Sequence, residues 1–258
     1  MSAPVTGLTR MRDICIAAAL FLAPIAIFFP IDHWVASLFY EGNGSFWLTK
    51  SWVGTAFHDV LRPMFYWVLI GGVVVLAIRS ARQQAHIGLT IRRVIYVAAV
   101  IGIGLGLVTN NILKDRFDRP RPMHTVEFGG DRKYQPPILP ATGCERNCSF
   151  VSGDAAAGFA MVAIPIAFAS GRRRRKLIRV ALWFGVAVGS MRMMNGSHYF
   201  FDVIYAGLIN VGIAAALYRP MIETRMRHVK AIPARLRSGC ARALSGTQRL
   251  WRWLRGPQ

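Results

Sequence analysis

Residues 180–217 read VALWFGVAVGSMRMMNGSHYFFDVIYAGLINVGIAAAL. Two apolar blocks, residues 180–194 and 203–217, flank a short polar turn in this stretch. Each block approaches the ~20 residues that cross a bilayer core as a helix. The stretch therefore predicts two membrane helices joined by a turn, which brings polar side chains to the membrane surface.

Apolar blocks of the same kind recur in the preceding part of the chain. They occupy residues 14–30, 65–78, 94–113 and 155–169. Pro24 interrupts the first block and no clear small-residue cleavage site follows it, so we interpret this block as a retained anchor rather than a secretory signal. Together the six blocks predict an all-α, polytopic membrane protein, with six transmembrane helices in one domain of residues 1–218.

The distribution of positive charge predicts how this domain is oriented. The chain is 53% hydrophobic and carries a formal net charge of +20, so its cationic residues have to be segregated from its apolar blocks. Lys and Arg near membrane helices are biased to the cytoplasmic side. They cluster at residues 10–12, 79–93 and 172–176 and in the tail, residues 219–258. Both termini are therefore predicted to be cytoplasmic, and residues 31–64, 114–153 and 195–202 extracytoplasmic.

Two further segments are predicted to contact lipid. Residues 219–258 are rich in arginine with interspersed Leu and Trp, and the nearest polyanion is the inner-leaflet lipid surface. We therefore predict that this basic cytoplasmic tail binds anionic lipids and not nucleic acid. Residues 31–62 contain several Trp, Tyr and Phe residues, which is typical of a segment at the outer membrane interface.

Three groups of polar residues lie in or beside the predicted outer loops. The groups are Lys114-x6-Arg121-Pro122, Ser152-Gly153-Asp154 and Arg192-x5-His198-x3-Asp202. Fixed cations stabilise the equatorial oxygens of a phosphoryl group during transfer. The planar guanidinium of arginine also binds two phosphate oxygens at once. Lys114, Arg121 and Arg192 are therefore candidates for binding a phosphate at the extracytoplasmic ends of the helices.

His198 is the candidate nucleophile. Attack by an imidazole divides a difficult hydrolysis into two easier steps through a phosphoenzyme. Asp202 follows four residues later, so in a helical turn it lies on the same face and can hold the ring in one tautomer. Ser152 can add a hydroxyl, and Gly153 lets backbone N–H groups approach an anion. Taken alone, Ser152-Gly153 is more typical of a helix cap, and only its neighbours make it a candidate for phosphate binding.

The three groups resemble the three-part signature of the type 2 phosphatidic acid phosphatase superfamily, which includes the vanadium haloperoxidases. The resemblance covers roughly residues 93–217, and the first and third groups match without gaps. In that family the histidine of the third group is the nucleophile, and the lysine and the two arginines bind phosphate. The resemblance implies the same roles for His198, Lys114, Arg121 and Arg192.

Asp154 departs from the family pattern. The family usually has a second histidine at this position, and that histidine protonates the leaving group. An aspartic acid can do the same work where its environment keeps it protonated. Three alternatives stay open: Asp154 is the general acid, it orients a water or Arg192, or the protein is catalytically impaired. Val151 also replaces a proline that the family often has before Ser-Gly, which is a milder change.

Cys144 and Cys148 lie in the predicted outer loop, just before Ser152. An oxidising periplasm permits a disulfide between them, which would fix the loop that carries the second group. Two cysteines without nearby histidines make a poor zinc site, and no metal-binding spacing such as His-Glu-x-x-His occurs. We therefore predict a reaction that needs neither a metal ion nor another cofactor.

These observations favour a lipid phosphatase of the bacterial inner membrane, which hydrolyses a phosphate monoester of an envelope lipid at the periplasmic face through a phosphohistidine. The stretch around Cys144 and Asp154 resembles a bacterial subgroup of the family, and the cationic rim suits a headgroup with two phosphates. Lipid A is the favoured substrate, followed by undecaprenyl diphosphate and phosphatidylglycerophosphate. A vanadate-dependent peroxidase would have a similar pocket, but those enzymes are soluble. A non-catalytic binder or transporter of anionic lipid is the remaining class, and the oligomeric state is not indicated by the sequence.

Overall fold

The computed structural model describes residues 3–61, 63–64, 66–67, 70–72, 74–75, 78, 87–114, 116–139, 144 and 147–223, which are mainly helical. The α-helices with complete bounds are α1 (Ala3–Phe28), α2 (Ile31–Ser37), α3 (Trp52–Ala56), α4 (Ile87–Ala99), α5 (Gly153–Ala160), α6 (Ala163–Phe168), α7 (Gly171–Met194) and α8 (Phe200–Tyr218). Wider, π-type turns follow α3, α4 and α8, at Phe57–Leu61, Val100–Leu113 and Arg219–Glu223. Short 3-10 turns occur at Pro122–His124 and Val126–Phe128.

Four helices in the described part of the chain are long and apolar enough to cross a membrane. They are Gly7–Phe28, Ile91–Leu113, Gly171–Met194 and Phe200–Glu223. Four of the six predicted blocks are thus confirmed as helices of membrane length. The block at residues 155–169 belongs to a shorter apolar segment, Gly153–Phe168, which is divided between α5 and α6. Much of the block at residues 65–78 lies outside the described residues, so the number of six stays a prediction.

Helix α8 is the most enclosed of the four long helices, since 56% of the residues in its most apolar stretch are buried. It packs against α1, α5, α7 and the π-type segment Val100–Leu113. The Tyr205 hydroxyl of α8 donates a hydrogen bond to the Ala19 carbonyl of α1 at 2.9 Å, and the Tyr96 hydroxyl of α4 donates to the Ala214 carbonyl of α8 at 2.6 Å. Because a buried hydroxyl without a partner is costly, these bonds favour one arrangement of α1, α4 and α8.

Helices α5 and α7 approach each other closely at two glycines. A Cβ atom on Gly158 would lie 2.9 Å from the Cα atom of Gly185, and a Cβ atom on Gly185 would lie 2.5 Å from the ring of Phe159. Small residues at such contacts let two helix backbones meet. This close packing holds the first turn of α5, with Asp154, near the last turn of α7, with Arg192.

A small sheet that the all-α prediction missed lies between α2 and α3. Strands β1 (Tyr40–Gly42) and β2 (Ser45–Phe46) pair in the antiparallel direction, with Tyr40 opposite Phe46 and Gly42 opposite Ser45. Strands of three and two residues are too short to show the alternation of apolar and polar residues that identifies a strand. The prediction was therefore wrong for these few residues.

The hairpin packs on the turn that joins α7 and α8. Phe46, Phe128 and Tyr199 belong to one buried cluster on this side of the molecule. Gly196, in the turn, has φ +62°, and a Cβ atom there would lie 2.4 Å from the ring of Phe46. Both the backbone conformation and the lack of space require glycine at this position. The hairpin thus fixes the turn that carries His198.

Candidate active site

The three predicted groups meet at one end of the helix bundle. Lys114 follows the last residue of the π-type segment Val100–Leu113, and Asp154 lies in the first turn of α5. Arg192 lies in the last turn of α7, and Asp202 in the first turn of α8. The ends of four helices therefore bring together side chains that are up to 88 positions apart in the sequence.

His198 is 2% exposed, and its Nδ1 atom lies 2.8 Å from the carbonyl oxygen of Ser149. A carbonyl oxygen can only accept a hydrogen bond, so Nδ1 must carry the proton. The other ring nitrogen, Nε2, then has a lone pair when the ring is neutral. The Ser149 carbonyl thus fixes the tautomer in which Nε2 can act as a nucleophile.

Burial lowers the pKa of His198 to about 4, from an ordinary value of 6.5. Asp202 opposes this shift, whereas the positive charges of Arg192 and Arg121 add to it. The imidazole is therefore neutral at neutral pH, and its Nε2 lone pair is available for attack.

Asp202 reaches the histidine less directly than its spacing predicts. Its Oδ2 atom lies 3.8 Å from His198 Nδ1, which is an ion-pair distance but too long for a hydrogen bond. The same Oδ2 accepts hydrogen bonds from the Ser149 hydroxyl at 2.5 Å and from the Tyr199 backbone N–H at 2.8 Å. Asp202 therefore holds Ser149, which holds His198, and it also caps the start of α8.

Arg119 and Asp32 extend this network, and sequence reasoning missed both. Arg119 donates hydrogen bonds to Asp202 Oδ1 at 2.5 Å through Nη1 and to Asp32 Oδ2 at 2.6 Å through Nη2. The guanidinium also lies over the ring of Tyr199, 4.1 Å from its centroid. Although burial lowers the pKa of Arg119, Asp202 and Asp32 raise it above its usual value, so the side chain stays charged.

Asp154 contacts one of the predicted phosphate-binding residues. Its Oδ2 atom lies 3.2 Å from Nε of Arg192, and its Oδ1 accepts a hydrogen bond from the Tyr66 hydroxyl at 3.0 Å. Asp154 and Arg192 are both buried. The arrangement agrees with the alternative in which Asp154 orients Arg192, and it also puts a carboxyl group beside the arginine that is predicted to bind phosphate.

Lys114 and Arg121 share a partner in the loop closed by Cys144 and Cys148. These cysteines form the predicted disulfide. Between them, Asn147 accepts a hydrogen bond from Lys114 Nζ at 3.1 Å through its side-chain oxygen and one from Arg121 Nη2 at 2.9 Å through its carbonyl oxygen. The disulfide loop, which precedes the second group in the sequence, thus contacts Lys114 and Arg121 of the first group.

Ser152 and Gly153 form the start of α5. The Ser152 hydroxyl accepts a hydrogen bond from the Ala155 backbone N–H at 3.4 Å, so Ser152 is the N-cap residue of the helix. A Cβ atom on Gly153 would lie 3.2 Å from Nζ of Lys114, which leaves little space for a side chain. The helix-cap interpretation of Ser152 is confirmed, and the glycine lets the ammonium group approach the N-terminus of α5.

The comparisons with known proteins agree with the arrangement of these residues. Residues 94–225, just over half of the chain, match the PAP2 superfamily. The chain belongs to this superfamily. The resemblance on which the roles of the three groups rest is thereby confirmed. No solved structure matches the chain.

Three similar proteins each carry the name lipid A 4'-phosphatase. The protein of Francisella tularensis subsp. novicida is 38% identical over 117 residues, which cover 45% of this chain and 53% of the relative. That of Rhizobium leguminosarum is 29% identical over 63% of this chain and 71% of the relative. That of Rhizobium etli is 30% identical over 62% of this chain and 63% of the relative. The chain thus matches about half of the Francisella protein and larger shares of the other two.

Proposed function

We propose that this protein hydrolyses a phosphate monoester of a bacterial envelope lipid, with lipid A as the favoured substrate. The observation that carries the proposal is the buried, neutral imidazole of His198. The Ser149 carbonyl holds this ring in the Nδ1–H tautomer. The positive charges of Arg121 and Arg192 help to lower its pKa. A neutral nitrogen nucleophile beside fixed cations is suited to attack on a bound phosphate. Membership of the PAP2 superfamily supports the same reaction.

In the proposed reaction, Nε2 of His198 attacks phosphorus while the bond between phosphorus and the lipid oxygen breaks. Asp154 gives a proton to that oxygen, so the lipid leaves as an alcohol. Water then attacks the phosphohistidine and returns a proton to Asp154, which releases inorganic phosphate and restores the imidazole. Lys114, Arg121 and Arg192 offset the negative charge on the equatorial oxygens in both steps.

Asp154 would combine two functions in this scheme. The ion pair with Arg192 uses Oδ2, and the Tyr66 hydroxyl contacts Oδ1. The acid step requires Asp154 to hold a proton while the phosphate ester is bound, because an alkoxide is a poor leaving group. The rates of an Asp154 variant on substrates with different leaving groups separate the two functions.

We further propose that the site faces the periplasm and that the protein lies in the inner membrane with both termini in the cytoplasm. The basic run at residues 172–176 lies at the start of α7, whereas Arg192 lies in its last turn. Likewise Arg174 lies over the ring of Tyr218 at the end of α8, whereas Asp202 lies in the first turn of that helix. The arginine cluster and the site thus occupy opposite ends of both helices. The preference of arginine for the cytoplasmic side then supports a periplasmic site.

Lipid A is favoured because each of the three relatives above is named as a lipid A 4'-phosphatase. The first of them is matched over only 53% of its length, so this support covers the site region rather than the whole relative. Undecaprenyl diphosphate and phosphatidylglycerophosphate are the alternative substrates, since each presents a phosphate at the same membrane surface.

The test is phosphate release by the purified full-length protein in detergent, with a chelator present. The substrates are lipid A, undecaprenyl diphosphate, phosphatidylglycerophosphate and phosphatidic acid. We expect the fastest release from lipid A and none from His198→Gln, whereas His124→Gln, a change of an exposed histidine, should keep the wild-type rate. Folded wild-type protein that binds lipid A but releases no phosphate from any of the four lipids would favour the non-catalytic lipid binder instead.

A further inference from the structure

We propose that Arg119 and Asp32 are positioning residues of the nucleophile. They hold Asp202 and Ser149, through which His198 is oriented, and so determine turnover without taking part in phosphate binding. The inference rests on the proposed function, because it concerns the rate at which His198 attacks. It adds two residues that the three sequence groups do not specify, because Arg119 is one of the unspecified positions of Lys114-x6-Arg121 and Asp32 precedes all three groups.

Asp32, Arg119 and Asp202 form a continuous chain of buried contacts. Asp32, Arg119 and Asp202 are each 0% exposed. Arg119 bridges the two carboxylates at 2.5 and 2.6 Å, and its Nε donates a third hydrogen bond to the Gln135 carbonyl at 2.8 Å. All three guanidinium nitrogens thus have a partner at short distance. A lysine has a single ammonium group on a flexible stem and cannot reproduce this fork.

The network reaches the imidazole at Ser149. The Ser149 backbone N–H donates to the Arg119 carbonyl at 2.8 Å, and its hydroxyl donates to Asp202 at 2.5 Å. Its own carbonyl oxygen accepts the hydrogen bond of His198 Nδ1. Arg119 therefore holds Ser149, the residue that orients His198, in two ways. Its backbone carbonyl binds Ser149 directly, and its side chain binds Asp202, which in turn binds the Ser149 hydroxyl.

Asp32 supports the nucleophile from a distant part of the chain. It lies in α2, outside the residues 94–225 that match the family, yet its Oδ1 accepts a hydrogen bond from the Phe201 backbone N–H at 2.8 Å. Asp32 thus contacts the first turn of α8 directly and Asp202 through Arg119. A segment that precedes the family region therefore completes the support of the nucleophile.

The direction in which the network holds the histidine is the effect that we expect to matter most. A buried ion pair contributes little to stability compared with apolar residues of the same volume, because the charges have to be taken out of water. A rigid direction for the histidine, by contrast, matters for attack, since a 1 Å displacement of a reacting group can lower the rate about 100-fold.

The charge of Arg119 gives a second effect that can be measured separately. The charged groups that act on His198 are Asp202 from α8, Arg192 from α7 and Arg121 from the loop before Pro122. Arg119 pairs with Asp202, so its removal leaves that carboxylate less neutralised. The imidazole would then be protonated more readily, and the acid limb of the pH profile of kcat/KM would move to higher pH.

The experiment compares four variants of the full-length enzyme in detergent with lipid A as substrate. Arg119→Lys keeps the charge but loses the fork, and Arg119→Gln loses both. Asp32→Asn keeps an acceptor for the Phe201 N–H. Arg116→Lys, a change of an exposed arginine in the same loop, is the matched control. The amount of folded protein is measured for each variant, and kcat is calculated per folded molecule.

We expect kcat to fall about tenfold or more in Arg119→Lys and up to about 100-fold in Arg119→Gln, the range for a misplaced reacting group. KM should stay within about twofold in both, because Lys114, Arg121 and Arg192 are unchanged. The acid limb should move to higher pH in Arg119→Gln only. Asp32→Asn should lower kcat to a smaller extent, and it tests the proposal if Arg119→Gln does not fold. Arg116→Lys should match the wild type.

The proposal is overturned if Arg119→Lys and Asp32→Asn keep the wild-type kcat, or if KM rises while kcat is unchanged. Loss of folded protein with a normal kcat per folded molecule and an unmoved acid limb would show a purely structural role and would overturn it too. Wild-type protein that is inactive on every lipid would overturn the proposed function, and the positioning role with it. An active wild type with unaffected variants would overturn only the positioning role.

Discussion

The nucleophile side and the cation side of this site are built differently. His198, Ser149 and Asp202 are almost completely buried and are joined by short hydrogen bonds. Of the three cations, Arg192 is buried, whereas Lys114 and Arg121 are only partly buried and the loop residue that these two share, Asn147, is exposed. A nucleophile has to be held in one direction, whereas the cations have to admit a headgroup and release phosphate. Changes on the first side should therefore lower kcat, and changes in the loop on the second side should raise KM.

The largest effect is expected at Asp154, which is buried like the residues of the nucleophile side. Asp154→Asn keeps the shape of the side chain but cannot supply a proton. If Asp154 is the general acid, turnover of lipid A should fall about 10²- to 10⁴-fold. An aryl phosphate with a good leaving group needs little protonation, so its turnover should fall less than about tenfold. Steady-state rates on both substrates are the measurement.

Equal losses on the lipid and on the aryl phosphate would contradict the acid role. They would assign Asp154 to holding Arg192, with which it forms the ion pair at 3.2 Å. Asp154→Glu, which keeps the carboxyl group, is the control for the contribution of charge.

The second prediction concerns the pH dependence of activity. His198 must be neutral to attack, and its pKa is lowered to about 4. As the pH falls through this value the imidazole becomes protonated and kcat/KM should decline, by about tenfold for each further pH unit. Between pH 5 and 7 protonation of the histidine should cause little loss of activity, whereas a histidine with an ordinary pKa would already lose activity near pH 6.5. An acid limb near pH 6.5 would mean that water reaches the imidazole and that the nucleophile side is as open as the cation side.

Asn147→Asp tests the cation side. The new carboxylate would lie near Lys114 Nζ, where the present amide oxygen accepts at 3.1 Å, and would compete with the phosphate of the substrate. We expect KM to rise about fivefold, which corresponds to the ~1 kcal/mol of an exposed ion pair. The value of kcat should change little, and Asn43→Asp, a change in the β-turn of the hairpin, is the matched control. A lower kcat at unchanged KM would show that Asn147 supports the chemical step instead.

The smallest effect is expected from the disulfide. Cys144→Ser/Cys148→Ser should loosen the loop that carries Asn147 and raise KM about two- to threefold, since a loop residue that must be ordered on binding costs part of the affinity. Treatment of the wild type with a reductant should give the same shift and should leave the double variant unchanged. An effect of the reductant on kcat rather than on KM would show that this loop supports the nucleophile and not only the cations.

The parts of the molecule that could be predicted from sequence are those with a local signal. Blocks of apolar residues indicated the long helices, because membrane length and hydropathy are properties of a continuous stretch. The spacing of Arg192, His198 and Asp202 indicated the third group, because all three lie within eleven consecutive residues, in the turn between α7 and α8 and in the helix ends on either side of it. The turn residues Asn43 and Gly44, by contrast, join strands too short to be recognised.

The remaining parts depend on contacts between distant positions. Arg119 meets Asp202 across 83 residues and Asp32 across 87, and Tyr66 meets Asp154 across 88. No spacing rule connects such pairs, and a lone aspartate after an apolar block resembles any polar residue at a membrane surface. Arg119 could have been noticed only as one more cation in the first group, where its burial is not apparent.

The most direct test of the central claim, that His198 attacks the phosphate, is to trap the phosphoenzyme. The protein is mixed with lipid A labelled in its phosphate and quenched within the first turnovers, and the label on the protein is measured. We predict label that survives base and is lost in acid, as expected for a phosphohistidine, and its complete absence from His198→Gln. Label that persists in His198→Gln would contradict the claim. So would an active wild type that never carries label under conditions in which hydrolysis of the intermediate is slowed.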